Sequence, residues 1–374
     1  MTVVGTRPEV IKLSRVIPKL DRFFEHMLIH TGQNYDYELN NIFFEQLRLR
    51  HPDKVLDTAG KTAAETIAQV ISKTDEVFEK NKPDALLLLG DTNSVLCAIA
   101  AKRRKIPIFH MEAGNRSFDQ RVPEEINRKI IDHTSDVNFV LSSHARQYLL
   151  REGIRPELIF KTGSHLWEVL ETFRSDIEGS AIMSQLGLKN KEFFLVSLHR
   201  EENVDTFSNL SKLIEALNAL SKKYRQTIIV SLHPRTKSRL KEFGIKVDDP
   251  LIQLREPFGY FDYIHLQTHA RCVLSDSGTL TEEVAFLGFP AIMVREAHER
   301  PEGMDAGLLF MSGISPNQIL ESIDILESLR KSIHLVAPKV IEYSEVPVSE
   351  QILKIVLSYI EYINRTVWGK SEII

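Results

Sequence analysis

Ala85-Leu86-Leu87-Leu88-Leu89-Gly90-Asp91-Thr92-Asn93 is the stretch that decides the fold. Its apolar run is far too short to cross a bilayer and ends in a glycine and small polar residues, so it reads as a strand entering a turn. Similar runs lie at 27–30, 106–110, 137–141 and 159–162, and again at 193–198, 227–232, 252–254, 272–274 and 291–294. Between them lie amphipathic helices: Leu13, Val16, Ile17 and Leu20 recur at helical spacing, as do Ile67, Val70, Ile71 and Phe78 behind the capping pattern Thr62-x-x-Glu65. Strands alternating with helices are the signature of parallel sheets built from βαβ units. The first strand is short, since only Thr2, Val3 and Val4 precede the first turn, and further residues are expected upstream of this numbering.

The chain has 374 residues, more than one hydrophobic core usually serves, so two domains are expected. The pattern restarts after a helical stretch near 167–173, giving domains at 1–165 and 166–350. A last helix over 351–374 carries Ile352, Val356, Ile360 and Ile363 on one face and needs a surface to dock on. A net charge of −4 offers no general attraction for nucleic acid or an anionic membrane. The two cysteines, Cys97 and Cys272, lie in apolar segments without metal or disulfide spacing, and no signal pattern opens the chain, so a cytoplasmic protein with buried thiols is expected.

In open α/β sheets ligands bind at the carboxyl ends of strands, and several chemically equipped segments sit there. Gly5-Thr6-Arg7-Pro8-Glu9 opens a helix whose N-terminus, with Arg7 and Lys12, suits a pyrophosphate or a developing anion. Asp91 and Glu112 end two further strands and form a carboxylate pair suited to acid–base work. Helix N-capping by Asp91 and loop solvation by Glu112 are the plainer alternatives. A compact loop, 114–121, links Glu112 to a helix that presents Glu124, Asn127 and Arg128 on one face and turns Ile126 and Ile130 the other way. Arg116 in that loop and Arg128 on that helix are candidates to hold substrate. His199 and His233 both follow strands, while Ser275-Asp276-Ser277-Gly278-Thr279 leads into a helix bearing Glu282 and Glu283, a unit suited to phosphate oxygens and ribose hydroxyls. A dense charged loop holding Arg300 follows the next strand. His265 and His269 are four residues apart but lack a third ligand at a recognisable spacing, so no metal is expected; no GxGxxG, GxxxxGK[ST] or GxSxG motif occurs, so a nicotinamide cofactor lacks its usual cradle.

Taken in order, GTRPE at 5–9, GDT at 90–92, HMEAG at 110–114, PEEINR at 123–128, HREEN at 199–203, SDSG at 275–278 and ERPE at 299–302 resemble the non-hydrolysing UDP-N-acetylglucosamine 2-epimerases over nearly the whole chain. The resemblance implies an α/β GT-B fold, two Rossmann-like doubly wound domains facing across a cleft, acting without cofactor and as a homodimer on a UDP-linked N-acetylamino sugar. It implies Asp91, Glu112 and Glu124 as the proton-handling acids, with Glu125 mattering far less. It further implies that His199 and Arg7 serve the UDP leaving group, with Lys12 beside them, and that Ser277, Gly278 and Glu283 hold diphosphate and ribose. Arg300 is carried over with them, and His233 and Thr279 are added as binding candidates. The segment AGNRSFDQRVPEE at 113–125 and TGQNYDYELN at 31–40 resemble the subgroup that forms UDP-N-acetyl-L-fucosamine from its 6-deoxy-L-talo epimer in capsule and O-antigen synthesis. Interconversion of UDP-N-acetylglucosamine and UDP-N-acetylmannosamine is the alternative sugar chemistry. A GT-B glycosyltransferase and a nucleotide-sugar-binding regulator are the alternatives in kind.

Overall fold

A computed structural model describes residues 1–32, 43–332, 339–343 and 345–370, in which the chain forms two compact units. Unit 1 holds Met1–Glu171 together with Glu342–Ile374, and unit 2 holds Thr172–Ile341. The sequence placed these divisions at 165/166 and 350/351. The segment 33–40, on which part of the subgroup resemblance rests, lies outside the described residues.

Unit 1 is built on a seven-stranded parallel sheet: β1 (Thr2–Val4), β2 (Leu28–His30), β3 (Lys54–Val55), β4 (Leu86–Leu89), β5 (Ile108–Met111), β6 (Val137–Val140) and β7 (Ile159–Lys161). The spatial order is β3-β2-β1-β4-β5-β6-β7, so the order reverses between β1 and β4, where a doubly wound sheet opens its ligand crevice. Around it stand α1 (Arg7–Leu13), α2 (Val16–Phe23), α3 (Ala63–Asn81), α4 (Glu124–Thr134) and α5 (Ser143–Arg151). The apolar stripe of α3 buries Val70, Val77 and Phe78 against Leu86, Leu88 and Ile108 of the sheet. Each such side chain removed from water contributes about 1.5–3 kcal/mol.

Unit 2 repeats the plan with six parallel strands, β8 (Phe193–Ser197), β9 (Thr227–Ser231), β10 (Ile252–Arg255), β11 (Cys272–Ser275), β12 (Ala291–Met293) and β13 (Phe310–Met311), ordered β10-β9-β8-β11-β12-β13. Its helices include α6 (Phe207–Tyr224), α7 (Tyr260–His269) and α8 (Leu280–Leu287). The last helix, α9 (Val348–Thr366), returns to unit 1. It lies against α2, with Ile352, Val356 and Ile363 buried, while Glu168 accepts both the Ser349 N–H (2.9 Å) and its hydroxyl (2.6 Å).

Most strands fall where the apolar runs placed them. The strand expected at 106–110 begins two residues later because Ile106 donates its N–H to the Ala101 carbonyl of the preceding helix end (3.1 Å) and Pro107 has no N–H to give the ladder. The two-residue edge strands β3 and β13 were missed, being too short to show a period. Cys97 and Cys272 are buried, and burial pushes both thiols up, that of Cys272 to about 12, so neither is a nucleophile at neutral pH. Among the described residues no helix is long and apolar enough to cross a membrane.

His30, at the end of β2, accepts the Gly32 N–H on Nδ1 at 3.0 Å, a bond that protonation of that nitrogen would break. Burial pushes its pKa down to about 4 against the opposing pull of Asp57. The folded state therefore binds this proton less readily than the unfolded chain, whose histidine titrates near 6.5. The stability this histidine supports is fully present above pH 6.5 and lost as pH falls toward 4, at up to about 1.4 kcal/mol per pH unit. Thermal melts across that window are expected to show a falling midpoint, and His30→Gln to flatten part of the fall.

Candidate functional site

The site begins at the turn after β1. Glu9, in the first turn of α1, is fully buried and accepts the N–H groups of Gly5 and Thr6 (3.0 Å to Thr6) on one oxygen, completing the reverse half of the expected capping box. Its other oxygen accepts the hydroxyls of Thr92 (2.5 Å) and Ser94 (2.8 Å) from the turn after β4. Burial pushes this carboxyl up while the four donors pull it down. One side chain thus ties the turn carrying Arg7 to the turn carrying Asp91. Arg7 itself lies 5.0 Å from the Phe43 ring centroid, a cation–π contact.

Glu112, just past β5, is buried with φ at 62°, in the left-handed region that non-glycine residues rarely adopt. The surroundings hold it there. Asn115 donates its side-chain amide to the Glu112 carbonyl at 3.0 Å, and Gly114 packs so closely that a Cβ would lie 2.5 Å from the Ala145 carbonyl. The Glu112 carboxylate is ion-paired to Lys12 at 2.5 Å, with His165 Nε2 at 3.5 Å from the same oxygen. Lys12 therefore stands on a carboxylate. His165 was not singled out from sequence, and its position in the turn after β7 is the signal that points to it.

Asp91 is held by Arg128 of α4, whose Nε and Nη2 both lie 2.8 Å from one carboxylate oxygen. Glu124 opens α4, and Asn127 donates to Asn93 at 3.3 Å. The polar face of α4 is the one turned inward, as its candidacy for the site required, since Glu125, Asn127, Arg128 and Asp132 are buried while Ile126 is 55% exposed. Glu125, expected as a bystander, is fully buried and heavily bonded. Arg116 needs correction as a substrate ligand. Its guanidinium is fully buried, donating to Asp132 (2.7 Å), the Asn115 carbonyl (2.8 Å) and both oxygens of Glu152 (2.9 and 2.6 Å), and is committed to holding the loop in place.

Unit 2 carries a second cluster at the ends of β8 and β11. Asp276 is buried and accepts the N–H groups of His199 and Arg200 and the Asn203 amide, all near 3.0 Å, with His199 Nδ1 at 3.1 Å. Burial pushes this carboxyl up, yet the His199 charge and these donors outweigh it and hold its pKa at about 2. An anionic Asp276 facing Nδ1 favours the His199 tautomer that carries its proton there. The His233 ring centroid lies 5.4 Å from that of His199, and its Nδ1 accepts the Arg235 N–H, so His233 also caps the helix behind it. Ser277 and Thr279 share a hydroxyl bond at 3.0 Å, Thr279 donates to Glu283 at 2.7 Å, and Gln267 donates to the other Glu283 oxygen at 2.7 Å. At Gly278 a Cβ would come 3.4 Å from the Arg200 guanidinium. Arg300 is buried and ion-paired to Glu282 at 3.2 Å. His265 and His269 stack at 4.1 Å, each with Nδ1 against a backbone carbonyl, and no group of three His, Cys, Asp or Glu among the described residues could hold a metal ion.

Two parallel-sheet units of this order, with carboxylates at the strand ends of one and an Asp–His pair with a small-residue loop in the other, now stand beside known proteins. The model of the UDP-N-acetylglucosamine 2-epimerase family matches residues 19–357. The chain belongs to that family. The UDP-N-acetylglucosamine 2-epimerase of Methanococcus maripaludis is 39% identical over 86% of this chain and 90% of its own length. The UDP-2,3-diacetamido-2,3-dideoxy-D-glucuronate 2-epimerase of Pseudomonas aeruginosa is 34% identical over 86% of this chain and 90% of its own. Among solved structures, the UDP-N-acetylglucosamine 2-epimerase of Rickettsia bellii is 52% identical, covers 99% of each chain and superposes with a TM-score of 0.91. That of Methanocaldococcus jannaschii, solved with UDP-GlcNAc and UDP, is 34% identical over 96% of this chain and 99% of its own, with a TM-score of 0.88. The architecture is accordingly of the GT-B type, and the protein is an epimerase of UDP-sugars.

Asp276→Asn is expected to lower turnover roughly 10–100-fold, because an amide no longer fixes the His199 tautomer. His199 imidazole ¹⁵N shifts should report the change of tautomer, and unaltered shifts together with unaltered turnover would refute it.

Proposed function

We propose that the protein inverts C2 of a UDP-linked N-acetylamino sugar by eliminating UDP and adding it back. The C2 hydrogen is not α to a carbonyl, so its direct removal is slow. Breaking the C1–O bond to UDP as the C2 proton leaves gives a neutral glycal. Return of UDP to C1 with a proton delivered to the opposite face of C2 completes the inversion, and atoms balance with no external oxidant or reductant. This chemistry asks for acids on two faces of the sugar and cations placed for the UDP charge. The observation that carries the reading is Glu112, held buried in a left-handed backbone and paired to Lys12 beside the Glu9-linked turns that bear Arg7 and Asp91. Asp91, Glu112 and Glu124 handle protons. Arg7 and His199 meet the departing diphosphate, and Ser277, Gly278, Thr279 and Glu283 line the nucleotide.

For the sugar, the reading is the 2-acetamido-2,6-dideoxy-L-talo epimer, converted to UDP-N-acetyl-L-fucosamine for a bacterial surface polysaccharide. Support comes from the compact AGNRSFDQRVPEE segment, and the family's reach over differing sugars is illustrated by the diacetamido-glucuronate relative. The UDP-N-acetylglucosamine reaction is the second reading, favoured by the names of the Methanococcus and Rickettsia proteins.

Offering both sugars in D₂O and following them by NMR tests this directly. Turnover of the L-talo sugar with deuterium at C2 of the product is expected, and little on UDP-N-acetylglucosamine, since a polar site mismatched to hydroxyl stereochemistry discriminates by several powers of ten. Preference for UDP-N-acetylglucosamine would select the second reading, product without deuterium would defeat the elimination route, and no conversion of either sugar would defeat both. Asp91→Asn, Glu112→Gln and Glu124→Gln should each lose about 10²–10⁴-fold in turnover while remaining folded. Chelation and exhaustive desalting should leave activity intact, because the sequence has no GxGxxG cradle and the described residues hold no metal-ligand group.

A further inference from the structure

Glu125 has no place in the chemistry above, yet it is among the most thoroughly bonded side chains of unit 1. One of its oxygens accepts the Ser117 N–H (3.1 Å), the Ser117 hydroxyl (3.1 Å) and Arg128 Nη1 (3.0 Å), and the other accepts the Phe118 N–H (3.3 Å). Phe118 has φ at 57°, a strained value for a bulky residue. Its side chain is 64% exposed and touches Tyr148 edge-on at 5.2 Å, so little packing pins it and the Glu125 bond holds its backbone. The same Arg128 that Glu125 receives holds Asp91 through its two remaining nitrogens. An unbroken chain therefore runs from Asp91 through Arg128 and Glu125 to the backbone of 117–118.

We infer that Glu125 is a positioning residue that couples the conformation of the 117–118 loop to the orientation of Asp91, and through that coupling sets which sugar is turned over. The inference rests on the proposed epimerase reading for its consequence but not for its geometry. A planar guanidinium shared by two carboxylates cannot turn toward one without changing its bond to the other. Displacement of the loop by a mismatched sugar frees a Glu125 lone pair, draws Arg128 toward it and loosens Asp91. Asp91 is then fully aligned only when the loop is seated. A helix residue that merely favours the positive end of α4 would have no such reach.

The test has two arms. Backbone amide exchange of Ser117 and Phe118 is measured in the wild type, Glu125→Gln and Asp91→Asn. Coupling predicts acceleration of about tenfold or more in Glu125→Gln and a several-fold acceleration in Asp91→Asn, although Asp91 touches neither amide. Unchanged exchange in Asp91→Asn overturns the coupling whether or not any sugar is converted. In the second arm, Glu125→Gln is expected to lower kcat about tenfold or more on the preferred sugar and to narrow its preference over the other, leaving UDP affinity within twofold. The double variant Glu125→Gln/Asp91→Asn should be no slower than Asp91→Asn alone, the non-additivity of residues acting as one unit. Multiplying losses, or faster exchange throughout α4 with a falling melting temperature, would reduce Glu125 to a structural residue. Failure of the wild type to convert either sugar would defeat both sugar readings and leave the exchange arm to decide the coupling.

Discussion

A single buried carboxylate, Asp132, is the constraint on which the candidate site of unit 1 depends. It sits on α4 and accepts the Gly114 N–H (3.1 and 3.2 Å) and Arg116 Nη1 (2.7 Å), with His110 Nδ1 at 3.0 Å. Burial pushes it up, but the bonds and charges of His110 and Arg116 win and hold it below the ordinary carboxylate range. His110 lies in β5 and bonds the Gly90 carbonyl at 2.8 Å through its other nitrogen, so one charge cluster ties the turns after β4 and β5 to α4. Removing Asp132 would leave the buried Gly114 N–H without its acceptor and Glu152 as the remaining carboxylate on Arg116, at about 1–3 kcal/mol for the unsatisfied donor. It would also release the backbone that keeps Glu112 in its left-handed conformation.

Unit 2 solves the same problem with the same device. Asp276 receives three N–H groups and an imidazole from the neighbouring turn, as Asp132 receives a backbone N–H, an arginine and a histidine. In each case an anion buried at a strand or helix end gathers donors from a turn that otherwise lacks partners, and a satisfied network of this kind is rigid because every defection leaves an unpaired group. The difference lies in what is presented. Asp132 fixes backbone, whereas Asp276 fixes the tautomer of one side chain.

The parallel strands and the strand-end turns were legible because apolar runs and glycine-rich breaks are local signals. So were the strand-end positions of Asp91, Glu112 and His199, each within two residues of the end of its strand. The partners that position them were not: Asp132 is eighteen residues from Gly114, Glu9 is eighty-three from Thr92, and nothing in a linear pattern carries such a distance. Arg116 shows the cost. A cation in a loop beside candidate acids reads as a ligand for phosphate, and only three-dimensional placement reveals the two carboxylates that occupy it. The two faces of α4 were legible too, with Asn127 and Arg128 opposite Ile126, although helical periodicity does not by itself say which side is wet. Asp276 was within reach, because β8 and β11 are neighbours in the doubly wound order and a carboxylate after one should meet a histidine after the other.

The left-handed backbone at Glu112 explains why so much polar structure is gathered around one turn. Such a conformation costs an L-residue roughly 1–2 kcal/mol, and a strand that continued normally past Met111 would avoid it. The strain aims the carboxylate back toward Lys12 rather than along the strand. A relaxed turn would let the carboxylate swing into solvent, where an ammonium partner is worth little. The Asn115 amide, the close seat of Gly114 on Ala145 and the Asp132 cluster together over-determine the conformation, so the carboxylate of Glu112 is held in one place before any ligand arrives. Preorganisation of that kind is what proton transfer at an unactivated carbon demands, because reorienting a base during the reaction adds directly to the barrier.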